Sequence, residues 1–162
     1  MMKKILTCIF TLFVPLCGYT QSAVQPSELV TELNGSVPPE KIARSLKQVR
    51  LLSSPDGKGN QVIVEQTTRA AKTRTPIHMH DHGGITCVIE GEMTLYMEGV
   101  EPKRAQAGEC YYMPEGRMMA GVNSGSLPAV MHDTFILPKD AAAWRIVEKG
   151  AQSYQDQFDK HH

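Results

Sequence analysis

Three of the six histidines in this 162-residue chain fall within five residues, His78-Met79-His80-Asp81-His82, and a glycine pair, Gly83-Gly84, follows at once. Imidazole nitrogen is the commonest protein ligand for transition metals. On an extended strand, residues i, i+2 and i+4 share one face, so this spacing points all three rings the same way. Neighbouring pairs can share an ion directly. His78 and His82, about 13 Å apart at roughly 3.3 Å per residue, can share one only where the strand bends, which the glycine pair permits. The competing reading of the same residues is a polar, solvated strand with no ligand at all.

Other chemistry is sparser. His132, in Val130-Met131-His132-Asp133, is a second-choice metal ligand or half of a hydrogen-bonded structural pair with its neighbouring acid. Cys87 is out of phase with the histidines and faces away from them on a regular strand. It can pair with Cys110 if their Cα atoms come within about 7 Å; buried free thiols are the alternative. Neither cysteine has surroundings that make a nucleophile. There is no phosphate-binding loop, no G-x-S-x-G elbow and no dinucleotide-binding glycine pattern. Lys and Arg total 17, as do Asp and Glu, so no basic surplus is available to neutralise phosphates, and nucleic acid is excluded as the expected partner.

The elements that must position these groups follow from the local texture. Residues 1–20 read as a signal peptide, with Met1-Met2-Lys3-Lys4 as a positive start and an apolar run from Ile5 to Leu16. That run is too short to span a bilayer as a helix. Periplasmic or secreted localisation is the expectation, with no stable membrane anchor after processing. Residues 21–58 read as an N-terminal arm with short helices: Ser27 as an N-cap, Pro38-Pro39 as a start, and Ile42, Leu46 and Val49 at helical spacing. From residue 59 to 148 the chain breaks into short β-forming runs, at 61–67, 85–90, 93–98, 110–113 and 128–137, with turn residues between them. That pattern indicates an all-β sandwich or barrel. Residues 141–148 are a closing strand or a short helix, and 149–162 form a polar C-terminal tail whose His161 and His162 carry no expected chemistry.

In two stretches the residues resemble the motifs of the cupin family. Against G(X)5HXH(X)3,4E(X)6G the chain sets His78-x-His80, three residues, Gly84, six residues and Gly91; against G(X)5PXG(X)2H(X)3N it sets Gly108, Pro114, Gly116, Met119 and Asn123. The second motif is matched at every fixed position but one. The resemblance runs from about residue 61 to 137 and implies an all-β fold, a cupin-like (double-stranded β-helix or jelly-roll) barrel with the short helical arm outside it. It also implies pairing as a homodimer.

The resemblance further implies a metal held by two histidines, a glutamate and a third histidine, and here the chain departs from it. Gly84 stands at the glutamate and Met119 at the last histidine, which argues against iron or manganese and favours copper or zinc. Three readings stay open. In the first, one divalent or copper ion is bound by His78 and His80, with His82 and Met119 completing the shell. In the second, His132 is recruited. In the third, the barrel has lost its metal and binds or senses a small organic molecule. For an enzyme, the resemblance implies metal-assisted oxygenase, isomerase or lyase chemistry, with Tyr111, Tyr112, Arg117 and Glu109 as candidates to orient the substrate.

Overall fold

Residues that alternate between apolar and polar over ten positions have to lie on a sheet with one face buried, and two such segments organise this chain. The computed structural model describes residues 29–155. In chain order its strands are β1 (Lys41–Ile42), β2 (Lys47–Pro55), β3 (Asn60–Arg69), β4 (Thr73–Arg74), β5 (His78–Met79), β6 (Gly84–Glu90), β7 (Glu92–Met97), β8 (Lys103–Gln106), β9 (Cys110–Met113), β10 (Met119–Asn123), β11 (Ala129–Pro138) and β12 (Arg145–Ile146). β3 and β11 pair antiparallel along their full length, with Ala129 opposite Arg69 and Pro138 opposite Asn60. They are the centre of a five-stranded sheet in the order β2-β3-β11-β6-β9. The other sheet runs β1-β4-β10-β5-β12, with β7 joined to β10 and β8 joined to β7.

The two sheets curl together into a double-stranded β-helix barrel. Ile63, Val88, Met113, Met131, Phe135 and Leu137 from one sheet meet Met93, Leu95, Ala105 and Met119 from the other in a shared core. Tight reversals close the hairpins. At Gly91, which has φ of 76°, a Cβ would sit 2.9 Å from the Pro128 carbonyl oxygen, so this corner needs both the backbone freedom and the missing side chain of glycine.

The expected helical arm is not found among the described residues. Residues 47–55 are instead β2, an edge strand paired with β3 from Lys47 opposite Thr68 to Pro55 opposite Gln61. A short helix is marginal in isolation, whereas β2 satisfies its backbone against an existing sheet. The apolar residues that suggested helical spacing part company: Ile42 packs beside Trp144, while Leu46 and Val49 are exposed. Ser27 and the signal-peptide segment lie outside the described residues. Residues 141–148 contain the short strand β12, and beyond it a single turn of 3-10 helix, Gln152–Tyr154, follows the buried Ala151.

Two cross-links fasten these parts. Cys87 and Cys110 face each other across β6 and β9 and form a disulfide, with Cα atoms 4.0 Å apart. On the opposite sheet the buried Arg74 guanidinium makes two hydrogen bonds to Glu148, at 2.7 and 2.8 Å, and the same carboxylate accepts from the Ile77 amide at 2.7 Å. This fork-to-fork pair ties the C-terminal segment to the chain that leads into the histidines.

Candidate functional site: a cavity between the sheets

β5 is only two residues long, yet it is held on both sides. Met119 of β10 lies opposite His78 on one side, and Ile146 of β12 lies opposite it on the other. His78 and His80 alternate inward from this strand and its continuation, and both line a cavity of about 70 Å³ between the sheets. His78 Nδ1 is 2.8 Å from the Pro76 carbonyl oxygen, and His80 Nδ1 is 2.7 Å from that of Ala143. A carbonyl only accepts, so each neutral ring carries its proton on Nδ1 and leaves a lone pair on Nε2. The rings stand edge to face at 4.9 Å, His78 meets Trp144 at 4.4 Å, and His80 stacks on Phe135 at 5.3 Å. Burial pushes both imidazoles below their usual pKa, and His78 is lowered further by its neighbour His80. Both are therefore neutral at physiological pH. His80 Nε2 is buried and has no hydrogen-bond partner among the described residues.

The five-stranded sheet supplies a second polar wall. Along β3 and β11 the inward positions include Glu65, Thr67, Arg69 and Asp133, all lining the same cavity. Thr86 donates to Asp133 Oδ1 at 2.6 Å and Thr67 donates to Oδ2 at 2.9 Å. Burial raises the Asp133 pKa, and these two hydrogen bonds oppose the rise. Glu65 is matched by Arg50 at 2.6 Å and by the Gln48 amide at 2.5 Å. Arg69 is held by the Ala43 carbonyl at 3.0 Å. Burial lowers its pKa to about 10, partly offset by attraction to Asp133, so it stays a cation at neutral pH. Burial also raises the Tyr111 hydroxyl pKa, with Asp133 adding to the shift.

Of the residues singled out in the sequence, His78, His80 and Tyr111 meet at this cavity. The rest lie elsewhere, for reasons of strand parity and turn geometry. His82 is exposed, past the point where the chain leaves β5. Met119 is fully buried but joins the apolar core and does not line the cavity. His132 has the opposite parity to Met131 and Asp133, so it faces outward, 3.2 Å from the Gln66 side chain. Tyr112 alternates outward from Tyr111 and is 61% exposed. Arg117 donates to the Glu98 carbonyl at 3.0 Å from an exposed position, and Glu109 accepts from the Gln106 amide at 2.8 Å in a turn. Cys87 faces out of the barrel, as its parity requires.

Sequence reasoning missed Arg69, Asp133, Glu65, Thr67, Thr86 and Trp144. The signal for Asp133 was present: Met131, Asp133, Phe135 and Leu137 share one face of β11, which sets a carboxylate among core residues.

Gly84 decides whether the usual metal set fits. A Cβ there would lie 2.6 Å from both Phe135 Cδ1 and Cε1, and 3.1 Å from the methyl carbon of Met113. The space a glutamate would need is filled by an aromatic ring and a thioether. Among the described residues no three His, Cys, Asp or Glu side chains converge to hold an ion. The three-histidine, one-carboxylate set that suits a hard cation therefore does not fit this barrel.

Comparison with known proteins agrees on the fold. Residues 66–135 match the family model described as the cupin domain. No curated protein sequence matches the chain significantly. Among solved structures, the polyketide cyclase RemF of Streptomyces resistomycificus superposes with a TM-score of 0.54 at 17% identity, covering 74% of this chain and 86% of its own. The DMSP lyase DddQ of Ruegeria pomeroyi gives 0.52 at 19% identity over 63% of this chain and 51% of the lyase. A double-stranded β-helix protein of Klebsiella pneumoniae gives 0.48 at 22% identity, over 67% and 91%. At these identities the likeness is one of fold alone.

Proposed function

We propose that this chain is an exported cupin-fold barrel that binds a small organic molecule in the cavity between its sheets, with His80 as a hydrogen-bond acceptor for that molecule. The carrying observation is His80 Nε2, a buried acceptor without a partner in a cavity that has room for one. An unsatisfied buried polar atom costs about 1–3 kcal/mol, and a ligand that donates to it recovers that cost. The apolar lining from Met93, Leu95, Met131, Phe135 and Trp144, set against a few convergent polar groups, is the usual composition of such sites. Export is supported by the signal-like residues 1–20 and by the Cys87–Cys110 disulfide, a bond that persists in oxidising compartments. Pairing as a homodimer is supported by the outer face of the five-stranded sheet, where Val49, Leu52, Ile85, Ile89, Tyr112 and Ile136 are exposed together.

A second reading places a copper or zinc ion on His78 and His80. It is favoured by the two Nδ1–carbonyl contacts, which orient both Nε2 lone pairs as the outer contacts of metal-bound histidines do.

Native mass spectrometry and elemental analysis of untagged protein from the exporting cell, beside the His78→Ala/His80→Ala variant, separate the two. A bound organic mass without stoichiometric metal is the expected result. Stoichiometric metal that disappears in the variant establishes the second reading. The absence of both a bound mass and any binding from a panel of small organic molecules overturns the proposal.

A further inference from the structure

The polar wall opposite the histidines narrows the ligand class. Arg69 is 2% exposed, and among the described residues no carboxylate lies within ion-pair distance of its guanidinium. Among the described residues its one side-chain hydrogen bond goes to the Ala43 carbonyl. The other charges in this wall are accounted for locally. Glu65 is neutralised by Arg50. Asp133 has each oxygen engaged by a threonine hydroxyl and makes no direct ion pair with Arg69 among the described residues. Each histidine donates its Nδ1–H to a backbone carbonyl. The cavity thus holds a guanidinium that Asp133 attracts from a distance but that has no direct carboxylate partner among the described residues, and a buried charge without a close, hydrogen-bonded partner is costly.

We propose that the cavity recognises a short hydroxycarboxylate, its carboxylate paired with Arg69 and its hydroxyl donating to His80 Nε2. This rests on the small-molecule reading above and adds the chemical class. A guanidinium presents its donors in a planar fork that matches a carboxylate. The imidazole opposite accepts only, so the ligand must bring a donor there. The cavity is small, at about 70 Å³, so short acids such as glycolate and lactate are the first probes of the class.

The test is calorimetric titration of the full mature chain at pH 7.5 with lactate, propionate, lactamide and ethanolamine. A charge-assisted hydrogen bond is worth about 1.5–3 kcal/mol, so lactate should bind about 10- to 100-fold tighter than lactamide. Losing the hydroxyl in propionate should cost up to about tenfold, the scale of one neutral hydrogen bond. Arg69→Gln, confirmed folded by its melting transition, should lose the preference of acid over amide, and Arg69→Lys should retain part of it. Equal binding of lactate and lactamide overturns the inference while leaving small-molecule binding intact. Tighter binding of ethanolamine does the same and assigns the site to Asp133. Preference for lactate that survives Arg69→Gln moves the carboxylate elsewhere and also overturns it. If none of the four binds while other small organic molecules do, the class is wrong and the broader reading stands; if no organic molecule binds, both fail.

Discussion

Gly84 lies on the cavity-facing side of β6, and adding one methyl group there tests whether the barrel has exchanged a ligand for packing. In Gly84→Ala the new carbon would start 2.6 Å from two ring atoms of Phe135, about 1 Å inside the optimum for carbon–carbon contact of roughly 3.5–4.0 Å. Phe135 is a core residue stacked on His80, so moving it disturbs the histidine wall. Overpacking of this kind costs about 1–3 kcal/mol, and the lower chain entropy of alanine in the unfolded state returns about 0.4–1 kcal/mol. A net loss of about 1–2 kcal/mol, or roughly 2–8 °C in Tm for a domain of this size, is expected. The assay is urea denaturation of a double-mutant cycle with Phe135→Ala. That change alone should cost about 3–5 kcal/mol. In its background, Gly84→Ala should cost less than about 0.5 kcal/mol, giving a coupling of about 1–2 kcal/mol. The same cycle with Gly84→Glu carries the functional consequence: with Phe135→Ala it should take up a divalent ion that the parent does not. A Gly84→Ala protein within about 0.5 kcal/mol of the parent, or an equal cost in both backgrounds, would refute the steric argument.

Other consequences are as direct. Glu148→Ala leaves the buried Arg74 charge unpaired, and about 3–5 kcal/mol should be lost on urea unfolding; a loss below about 1 kcal/mol would show that water reaches the guanidinium. Reducing the Cys87–Cys110 bond, which spans 23 residues, should remove about 3 kcal/mol on the loop-entropy account, read as a lower melting temperature in dithiothreitol that Cys87→Ser/Cys110→Ser reproduces without reductant. Because the folded chain holds both cavity imidazoles below their ordinary value of 6.5, the unfolded chain takes up protons first. Stability should therefore be full above about pH 6.5 and fall below it, and His78→Gln/His80→Gln should flatten the slope; a midpoint that rises between pH 7 and 5 would reverse the assignment. Ile136→Lys, on the exposed sheet face, should convert a dimer to a monomer in sedimentation, and a parent already monomeric at tens of micromolar would remove that proposal.

Much of the barrel was written in local pattern. Alternation along β3 and β11, and the turns at Gly91 and Pro114-Glu115-Gly116, depend only on neighbours in the chain, because a strand's faces and a hairpin's backbone angles are decided within a few residues. The inward placement of His78 and His80 and the outward placement of Cys87 followed from the same parity. The segment at 47–55 was misread because its apolar residues fit a helical period as well as a β edge, and pairing with β3 decided between them.

The sequence by itself determined the β-barrel class, the two histidines that share a face, and the departure at Gly84 and Met119 from the four-ligand pattern, all of which are properties of residue type and spacing. It took the tertiary structure to decide what fills the space beside Gly84, which tautomer His80 adopts, that Cys110 comes within reach of Cys87, and that Arg69 and Asp133 share a cavity with His80. Those facts depend on contacts between residues from 23 to more than 60 positions apart, and no local period encodes a distance across the sheets. Strand pairing brings such residues together, and burial then gives a guanidinium without a direct carboxylate partner and an imidazole nitrogen without a donor the energetic weight they would lack in water.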